Sequence, residues 1–203
     1  MRRFLLPSLL VLSLAACAPK IAPPTPPAEA SSSSVASVKT LEDVNAAVLN
    51  AFGDKDMAKL ALYVHPAKGV RFSPYAYVNT EENVIIRQKD IAGLMKETAA
   101  RTWGTEDGSG EPIDKTFAEY YTRFVFDHDF RKAPDIHMNE VNSYGSSTNN
   151  IAEAYPGASW FEYHFPGFDS QYDGMDWRAL RLVYEKDDGR WYLVGVIHDE
   201  WGP

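Results

Sequence analysis

The sequence predicts one α+β domain, in which N-terminal helices pack on a curved antiparallel sheet. Apolar residues recur at helical spacing before residue 126 and alternate with polar residues after residue 135. The 203 residues include 45% hydrophobic and 24% charged side chains, a globular composition rather than a disordered or fibrous one. Helices followed by a run of strands are typical of a sheet that packs one face against helices.

The first two helices are indicated by their end signals. Thr40 can cap the first helix, with Asp43 completing a variant of the capping box, and Gly53 ends it. Asp54 can cap the second helix, which Pro66 stops. We expect the two helices to form an antiparallel pair.

A short strand at 69–72 and a helix near Ile91 to Met95 follow, and then an aromatic stripe marks a further helix. Its members lie at i, i+3, i+4, i+7 and i+8: Phe117, Tyr120, Tyr121, Phe124 and Val125. The stripe is interpreted as core packing, with a cofactor-binding face as the alternative. Residues 104–114 and 142–150 are rich in Gly, Ser and Asn and are predicted loops.

The second half of the chain is predicted to be an antiparallel meander. Its strands are expected at 136–141, 159–165, 178–185 and 191–197. Asp187, Asp188 and Gly189 indicate a hairpin turn between the last two strands. Strict alternation in the last strand would place His198 on the same face as Val194 and Val196.

The N-terminus carries a targeting signal. Arg2 and Arg3 precede an apolar run at 5–14, and the sequence LAAC follows, ending in the single cysteine, Cys17. This resembles the lipobox signal of bacterial lipoproteins, and the alternatives are an ordinary secretory signal or a core helix with a chance cysteine. The resemblance implies cleavage before Cys17 and its lipidation by diacylglyceryl and palmitate-type chains. The apolar run is too short for the roughly 20 residues of a membrane-spanning helix.

We therefore predict a signal peptide at 1–16, a lipidated Cys17 with a Pro/Ser-rich tether at 17–40, and a single α+β domain at 41–203. The formal charge of −8 becomes −10 when Arg2 and Arg3 leave, which argues against nucleic acid as a partner. The expected location is the bacterial cell envelope, outside the cytoplasm and anchored to a membrane. By resemblance, Ala18 permits sorting to an outer membrane where the organism has one.

The order of the predicted elements resembles the cystatin-like, nuclear-transport-factor-like α+β cone, a superfamily that includes ketosteroid isomerases. More narrowly, YVHPAKGVRFSPY at 63–75, YHFPG at 163–167, DWR at 176–178 and HDEW at 198–201 resemble a family of bacterial lipoproteins and secreted proteins. The resemblance implies a fold that can enclose a pocket. It implies no activity, because the cone hosts both enzymes and binding modules.

Three titratable residues on the predicted strands are the candidates for catalysis: Glu162, His164 and His198. Each lies among aromatic or apolar neighbours, where burial shifts a pKa and so suits proton transfer in a pocket. The alternative is a structural contact between histidine and carboxylate inside an aromatic core.

Aromatic side chains are the candidates for ligand binding: Tyr121, Tyr163, Phe168, Tyr172 and Trp177. The last three lie in the loop 166–177, which mixes aromatic residues with three carboxylates. That composition is typical of a surface that recognises sugars, cations or a protein. The alternative is a hairpin folded back on the sheet, with Trp177 as its plug.

No phosphate-binding loop, dinucleotide fingerprint, nucleophile elbow or zinc-protease helix is present, so we predict no cofactor. Asp127 to Asp129, His137 and the run 198–200 contain possible metal ligands. Their spacing is not diagnostic, because neighbouring strand residues point to opposite faces, and we predict no metal site.

The hypothesis that follows is a membrane-anchored envelope lipoprotein with a non-catalytic binding or scaffolding domain. Its partners would be the membrane, through Cys17, and a small molecule or an envelope protein. One alternative is a small-molecule enzyme, an isomerase or hydrolase. A second is a self-associating structural domain, which would form a homodimer.

Overall fold

The computed structural model describes residues 39–140 and 148–201. The predicted signal peptide, Cys17 and the tether up to residue 38 lie outside the described residues. Within them, no helix combines the length and the apolar character needed to cross a membrane.

The first helix, α1 (Leu41–Gly53), begins and ends as predicted. The Thr40 side chain accepts from the Asp43 amide, and the Asp43 side chain accepts from the Thr40 amide. The second helix, α2 (Met57–Ala61), is capped by Asp56 and not by Asp54, so that prediction is wrong. Asp54 has helical backbone angles and closes α1, and the chain turns only at Lys55, where φ is +55°.

The remaining helices are short. The predicted helix near Ile91 is α3 (Gln88–Ile91), followed by a 3-10 turn at Leu94–Lys96. The aromatic stripe forms α4 (Phe117–Phe124), with a capping box between Thr116 and Glu119. A last helix, α5 (Ile151–Ala154), was not predicted.

Among the described residues, six strands form one sheet in the order β2-β1-β8-β7-β6-β5, and two form a separate ribbon. The sheet strands are β1 (Val70–Ser73), β2 (Ile85–Ile86), β5 (Asp135–Met138), β6 (Ser159–Phe165), β7 (Arg178–Asp187) and β8 (Arg190–Glu200). The β5–β8 part is an antiparallel meander, which confirms that prediction. The sheet as a whole is mixed, because β1 runs parallel to β8 with Phe72 opposite Val196.

The ribbon consists of β3 (Arg101–Thr105) and β4 (Pro112–Lys115). Its strands take up both ends of the stretch 104–114, so the prediction of a loop holds only for residues 106–111 and is wrong for the ends. Gly108 and Gly110, both with positive φ, supply the turn between the strands, while Trp103 and Ile113 are buried. The glycines therefore mark a hairpin rather than an unpaired loop.

The predicted hairpin turn between β7 and β8 is confirmed. Asp187 pairs with Arg190, and both residues between them, Asp188 and Gly189, have positive φ (45° and 76°). Two consecutive left-handed residues are the signature of a type I′ turn, whose twist matches that of antiparallel strands.

A bulge in β8 reverses the expected alternation of its side chains. Leu193 pairs with Tyr184 and Gly195 with Val183, so Val194 is an extra residue. Val194 belongs to a hydrophobic cluster on one face of the sheet, whereas Leu193 and Val196 belong to the main core on the other. The prediction that Val194 shares a face with Val196 and His198 is therefore wrong.

Both faces of the sheet are covered. The inner face packs on α1 and α4 and holds the main core, and the outer face packs on a smaller cluster that includes Ile151 and Tyr155. The aromatic stripe lies in the main core, where Phe72 contacts Trp103, Phe117 and Tyr120 at ring-centroid distances of 5.5–6.2 Å. Its buried members thus act as core packing.

A buried polar contact fixes α1 against the inner face. The Tyr184 hydroxyl donates to Asn45 Oδ1 at 2.9 Å, and Asn45 Nδ2 donates to the Tyr163 hydroxyl. These bonds connect one helical side chain to two neighbouring strands. Since buried polar groups are costly when unpaired, the bonds specify the register between helix and sheet.

Candidate functional site

A surface groove of about 470 Å³ lies where four separate segments meet. The connection from β1 to β2, the turn end of β3 and the C-terminal end of β8 form most of its walls, and the segment before α5 adds Thr148. The lining residues are Pro74, Tyr75, Ala76, Tyr77, Asn79, Glu82, Asn83, Gly104, Thr105, Glu106, Asp107, Thr148, Asp199 and Glu200. We refer to this cavity as the acidic groove.

Tyr75 and Glu106 form a hydrogen-bonded pair in the groove. The Tyr75 hydroxyl donates to Glu106 Oε2 at 2.7 Å, and its ring packs edge-on against Phe124 of the core. Burial, and then the bond to the Glu106 carboxylate, raise the pKa of Tyr75 far above its usual value. Tyr75 therefore remains a neutral donor that positions a carboxylate in the groove.

The groove has a negative potential. Its described lining includes five carboxylates and neither lysine nor arginine. Asp199 pairs with Arg181, and Glu200 pairs with Arg123 and Arg178. The other three, Glu82, Glu106 and Asp107, form no ion pair with any described residue. A ligand that carries positive charge would complement them.

Asp199 connects the groove to a buried ion-pair cluster on the outer face of the sheet. Arg181 Nε donates to Glu162 Oε2 at 2.6 Å, and Arg181 Nη2 donates to Asp199 Oδ2 at 2.9 Å. Glu162 and Arg181 are directly opposite each other on β6 and β7. All three side chains are at most 4% exposed, so each charge depends on the others for compensation.

Asp127 is the centre of a second polar cluster. Its Oδ2 lies 3.2 Å from Arg178 Nε, 3.3 Å from His128 Nδ1 and 3.4 Å from His198 Nε2. Burial alone would raise the pKa of Asp127, but these neighbours outweigh it and hold the pKa at about 2. His198 Nδ1 lies 3.3 Å from the Pro74 carbonyl oxygen, which fixes the ring from its other side.

His164 lies on the outer face, with its Nδ1 3.3 Å from Asp135 Oδ2 and its ring next to Trp177. Burial lowers the pKa of His164, although the Asp135 and Glu162 carboxylates oppose that shift. The fold therefore favours the neutral imidazole.

We expect stability to fall in two steps as the pH decreases. His164 has a lowered pKa in the folded state, so its contribution is lost below its ordinary pKa of 6.5. Asp127 also has a lowered pKa, so its contribution, about 2 kcal/mol, is present above 3.8 and lost as the pH falls towards about 2. Thermal melts across this range measure both steps.

Two variants assign the steps. His164→Gln should flatten the upper part of the profile and Asp127→Asn the lower part, because each removes one titrating group. A melting temperature that stays constant from neutral pH to about pH 3 would contradict this account.

The candidate catalytic residues are not brought together. Glu162 and His164 lie on the outer face of the sheet, whereas His198 lies on the inner face against Phe124. All three are almost fully buried, and none of them lines the acidic groove. Glu162 pairs with Arg181, whereas His164 and His198 each lie within 3.4 Å of a carboxylate oxygen.

The candidate ligand-binding aromatics divide into two groups. Tyr121 and Tyr163 are buried in the main core, and the Tyr121 hydroxyl donates to the Phe52 carbonyl. In the loop 166–177, Phe168 stacks on His128 at 4.0 Å, Tyr172 is half exposed, and Trp177 is buried. Trp177 thus occupies the position of a plug, and the two exposed aromatics are separate from the groove.

The sequence interpretation missed Tyr75 and Glu106 as a pair. Tyr75 follows the Ser73-Pro74 stop of the first strand, and Glu106 falls in the stretch assigned to a loop. The sequence did contain a signal for the hairpin that carries Glu106. Glu106 and Asp107 precede a Gly-Ser-Gly turn in an otherwise strand-like segment.

Within the described residues, no three His, Cys, Asp or Glu side chains are grouped so as to hold a metal ion. His137 contacts Glu140, and Asp127 contacts Arg178 and His198. A comparison with protein-family models and with curated proteins finds no match to this chain.

Proposed function

We propose that this chain is a lipid-anchored protein of the bacterial cell envelope whose α+β domain is a non-catalytic binding module. The acidic groove is its ligand site, and the ligand is a small molecule with a positively charged amine. The observation that carries the proposal is the set of three groove carboxylates that no described cation neutralises.

The walls of the groove support this ligand class. Tyr75 and Tyr77 supply aromatic surface, on which cations bind favourably, and Asn79 and Asn83 supply amides. The Glu106 carboxylate is held by Tyr75, so a charged acceptor is in position before the ligand arrives. A cavity of about 470 Å³ is within the range of small-molecule sites.

Binding without catalysis is supported by the positions of the histidines. A general base must reach the substrate within hydrogen-bond distance. His164 and His198 are both buried outside the lining of the groove, and each lies within 3.4 Å of a carboxylate oxygen. The groove lining itself has carboxylates and tyrosines, of which Tyr75 is held neutral.

We also propose that the fold is a variant of the cystatin-like cone. The packing of helices on an antiparallel meander supports it. The parallel β1–β8 pair and the covered outer face would be this chain's particular features.

We expect Glu106→Gln to weaken spermidine binding about tenfold, because it removes a charge but keeps an acceptor for Tyr75. Isothermal titration calorimetry with spermidine measures this, with glucose as a neutral comparison. The matched control is Glu111→Gln, since Glu111 lies across the same ribbon, outside the groove lining, and loses the same charge.

If Glu106→Gln and Glu111→Gln weaken spermidine binding equally, the binding reflects general charge attraction and not the acidic groove. If glucose binds and spermidine does not, the ligand is a neutral polyol and not an amine. Turnover of a metabolite that Glu162→Gln, His164→Gln or His198→Gln abolishes would favour the enzyme alternative, and a concentration-dependent dimer in light scattering would favour self-association.

The anchor is tested separately. Cys17→Ala should abolish lipid labelling of the protein and release it from the membrane fraction, since a two- or three-chain anchor is needed for durable attachment. A variant that remains membrane-bound and processed would indicate a different kind of signal.

A further inference from the structure

A second cavity, of about 450 Å³, lies on the outer face beside β1, β2 and α5. Its lining residues are Ala67, Lys68, Gly69, Arg71, Ile85, Arg87, Ala154, Tyr155, Glu185 and Val194. None of them lines the acidic groove. We refer to this cavity as the basic cavity.

The charge of the basic cavity is opposite to that of the whole chain. Its lining includes three cations, Lys68, Arg71 and Arg87, and one carboxylate, Glu185, in a chain with a formal charge of −8. Glu185 pairs with Lys68. That pair leaves two arginines without a carboxylate partner among the described residues.

Carbonyl oxygens hold both arginines. Arg71 Nη1 donates to Thr80 O at 2.9 Å and to Asn83 O at 3.2 Å, and Arg87 Nη1 donates to Ala67 O and Lys68 O. Carbonyls fix the position of a guanidinium but do not neutralise its charge. Both arginines also retain further N–H groups, since a guanidinium has five. The cavity is thus preorganised for an anion.

Tyr155 adds a neutral donor. Tyr155 is only 7% exposed and lies at the C-terminal end of α5. The Tyr155 hydroxyl lies beside Arg71, but it has no described hydrogen-bond partner at normal distance and angle. Burial raises the pKa of Tyr155, against the opposing effect of Arg71, so the hydroxyl keeps its proton.

Gly195 in β8 makes room for this hydroxyl. A Cβ atom at Gly195 would lie 2.6 Å from the Tyr155 hydroxyl oxygen, which is too close for any other residue. Gly195 follows the extra residue of the β8 bulge, Val194, which itself lines the cavity. The glycine thus gives the buried hydroxyl its place against β8, and Tyr155 and Val194 both line the cavity.

We propose that the basic cavity binds a phosphate group, held by the guanidinium groups of Arg71 and Arg87 and by the Tyr155 hydroxyl. Two charges without a carboxylate partner suit a phosphate group, which carries one negative charge in a phospholipid headgroup and up to two in a free phosphate compound, and planar guanidinium groups suit phosphate oxygens. The group belongs either to a free phosphate compound or to a phospholipid headgroup, which share this chemistry.

The test is the titration of the full-length protein with inorganic phosphate, compared with acetate at the same ionic strength. We expect Tyr155→Phe to weaken phosphate binding about tenfold, the usual effect of losing a hydrogen bond to a charged group. Arg87→Gln should weaken it at least as much, and because Arg87 is exposed, that variant tests the site should Tyr155→Phe reduce folding.

Lys89→Gln is the matched control, since Lys89 is an exposed cation two residues from Arg87 that does not line the cavity. Phosphatidylglycerol vesicles identify the source of the phosphate when every variant also carries Cys17→Ala, so that the proposed lipid anchor does not itself attach the protein. Vesicle binding lost in Arg87→Gln and retained in Lys89→Gln then assigns a lipid headgroup. The proposal is wrong if neither phosphate nor vesicles bind, if acetate binds as tightly as phosphate, or if Lys89→Gln has the same effect as Arg87→Gln.

Discussion

Arg181→Met should lower the free energy of unfolding by about 3–5 kcal/mol. Arg181 lies in the sheet between two buried carboxylates, at 2.6 Å from Glu162 and 2.9 Å from Asp199. Without the guanidinium, two negative charges remain in the protein interior with no cation between them. Urea unfolding with parallel thermal melts measures the loss.

The comparison that isolates the charge is the triple variant Arg181→Met, Glu162→Gln and Asp199→Asn. It should recover much of the stability, because the penalty comes from unpaired buried charges more than from the lost ion pairs. Arg101→Met serves as the surface control. Its partner Glu97 is about one-third exposed, so that loss should be at most about 1 kcal/mol.

A cost below about 1 kcal/mol for Arg181→Met would mean that water reaches these carboxylates. The ion-pair cluster would then be part of an open site, and Glu162 would regain its place among the candidates for catalysis. The stability measurement thus also bears on whether the domain is a binding module or an enzyme.

Phe117→Ala should cost about 3–5 kcal/mol, while Tyr120→Phe, on the same helix, should be neutral or slightly stabilising. Phe117 packs against Phe72, Trp103 and Tyr121, so its removal leaves a cavity among rings. The Tyr120 ring stacks on Trp103 at 4.2 Å, but its buried hydroxyl has no hydrogen-bond partner among the described residues.

The two variants distinguish a packed core from a cofactor-binding face. Urea unfolding measures the stability of each variant. A core requires the Tyr120 ring and gains nothing from its hydroxyl, whereas a cofactor-binding face would use the hydroxyl as a donor. If Tyr120→Phe lowers the free energy of unfolding by more than about 1 kcal/mol, the hydroxyl has a hydrogen-bond partner. The stripe would then again be a candidate for a cofactor-binding face.

Local signals predicted the parts of the fold that local forces form. Thr40 and Asp43 define the start of α1 within three residues, and Asp188 and Gly189 define the β7–β8 turn within two. The wrong prediction that Asp54 caps α2 also came from a local signal. Asp54 and Asp56 are equally good capping residues, and only the turn at Lys55 decides between them.

The functional geometry was less predictable, because it depends on contacts between distant segments. Glu162 and Arg181 are opposite each other only in the observed register of β6 and β7. Tyr75 meets Glu106 only because the ribbon that carries Glu106 lies beside the β1–β2 connection. No spacing in the sequence expresses either contact.

The α+β class, the capped first helix, the aromatic core helix and the antiparallel meander follow from the sequence alone, because caps, turns and periodicity act over a few residues. The parallel pairing of β1 with β8, the bulge at Val194, the acidic groove and the basic cavity follow only from the folded chain. The bulge shows why. An extra residue is accepted where strand pairing and packing on both faces of the sheet stabilise it, and those energies come from residues far away in the chain.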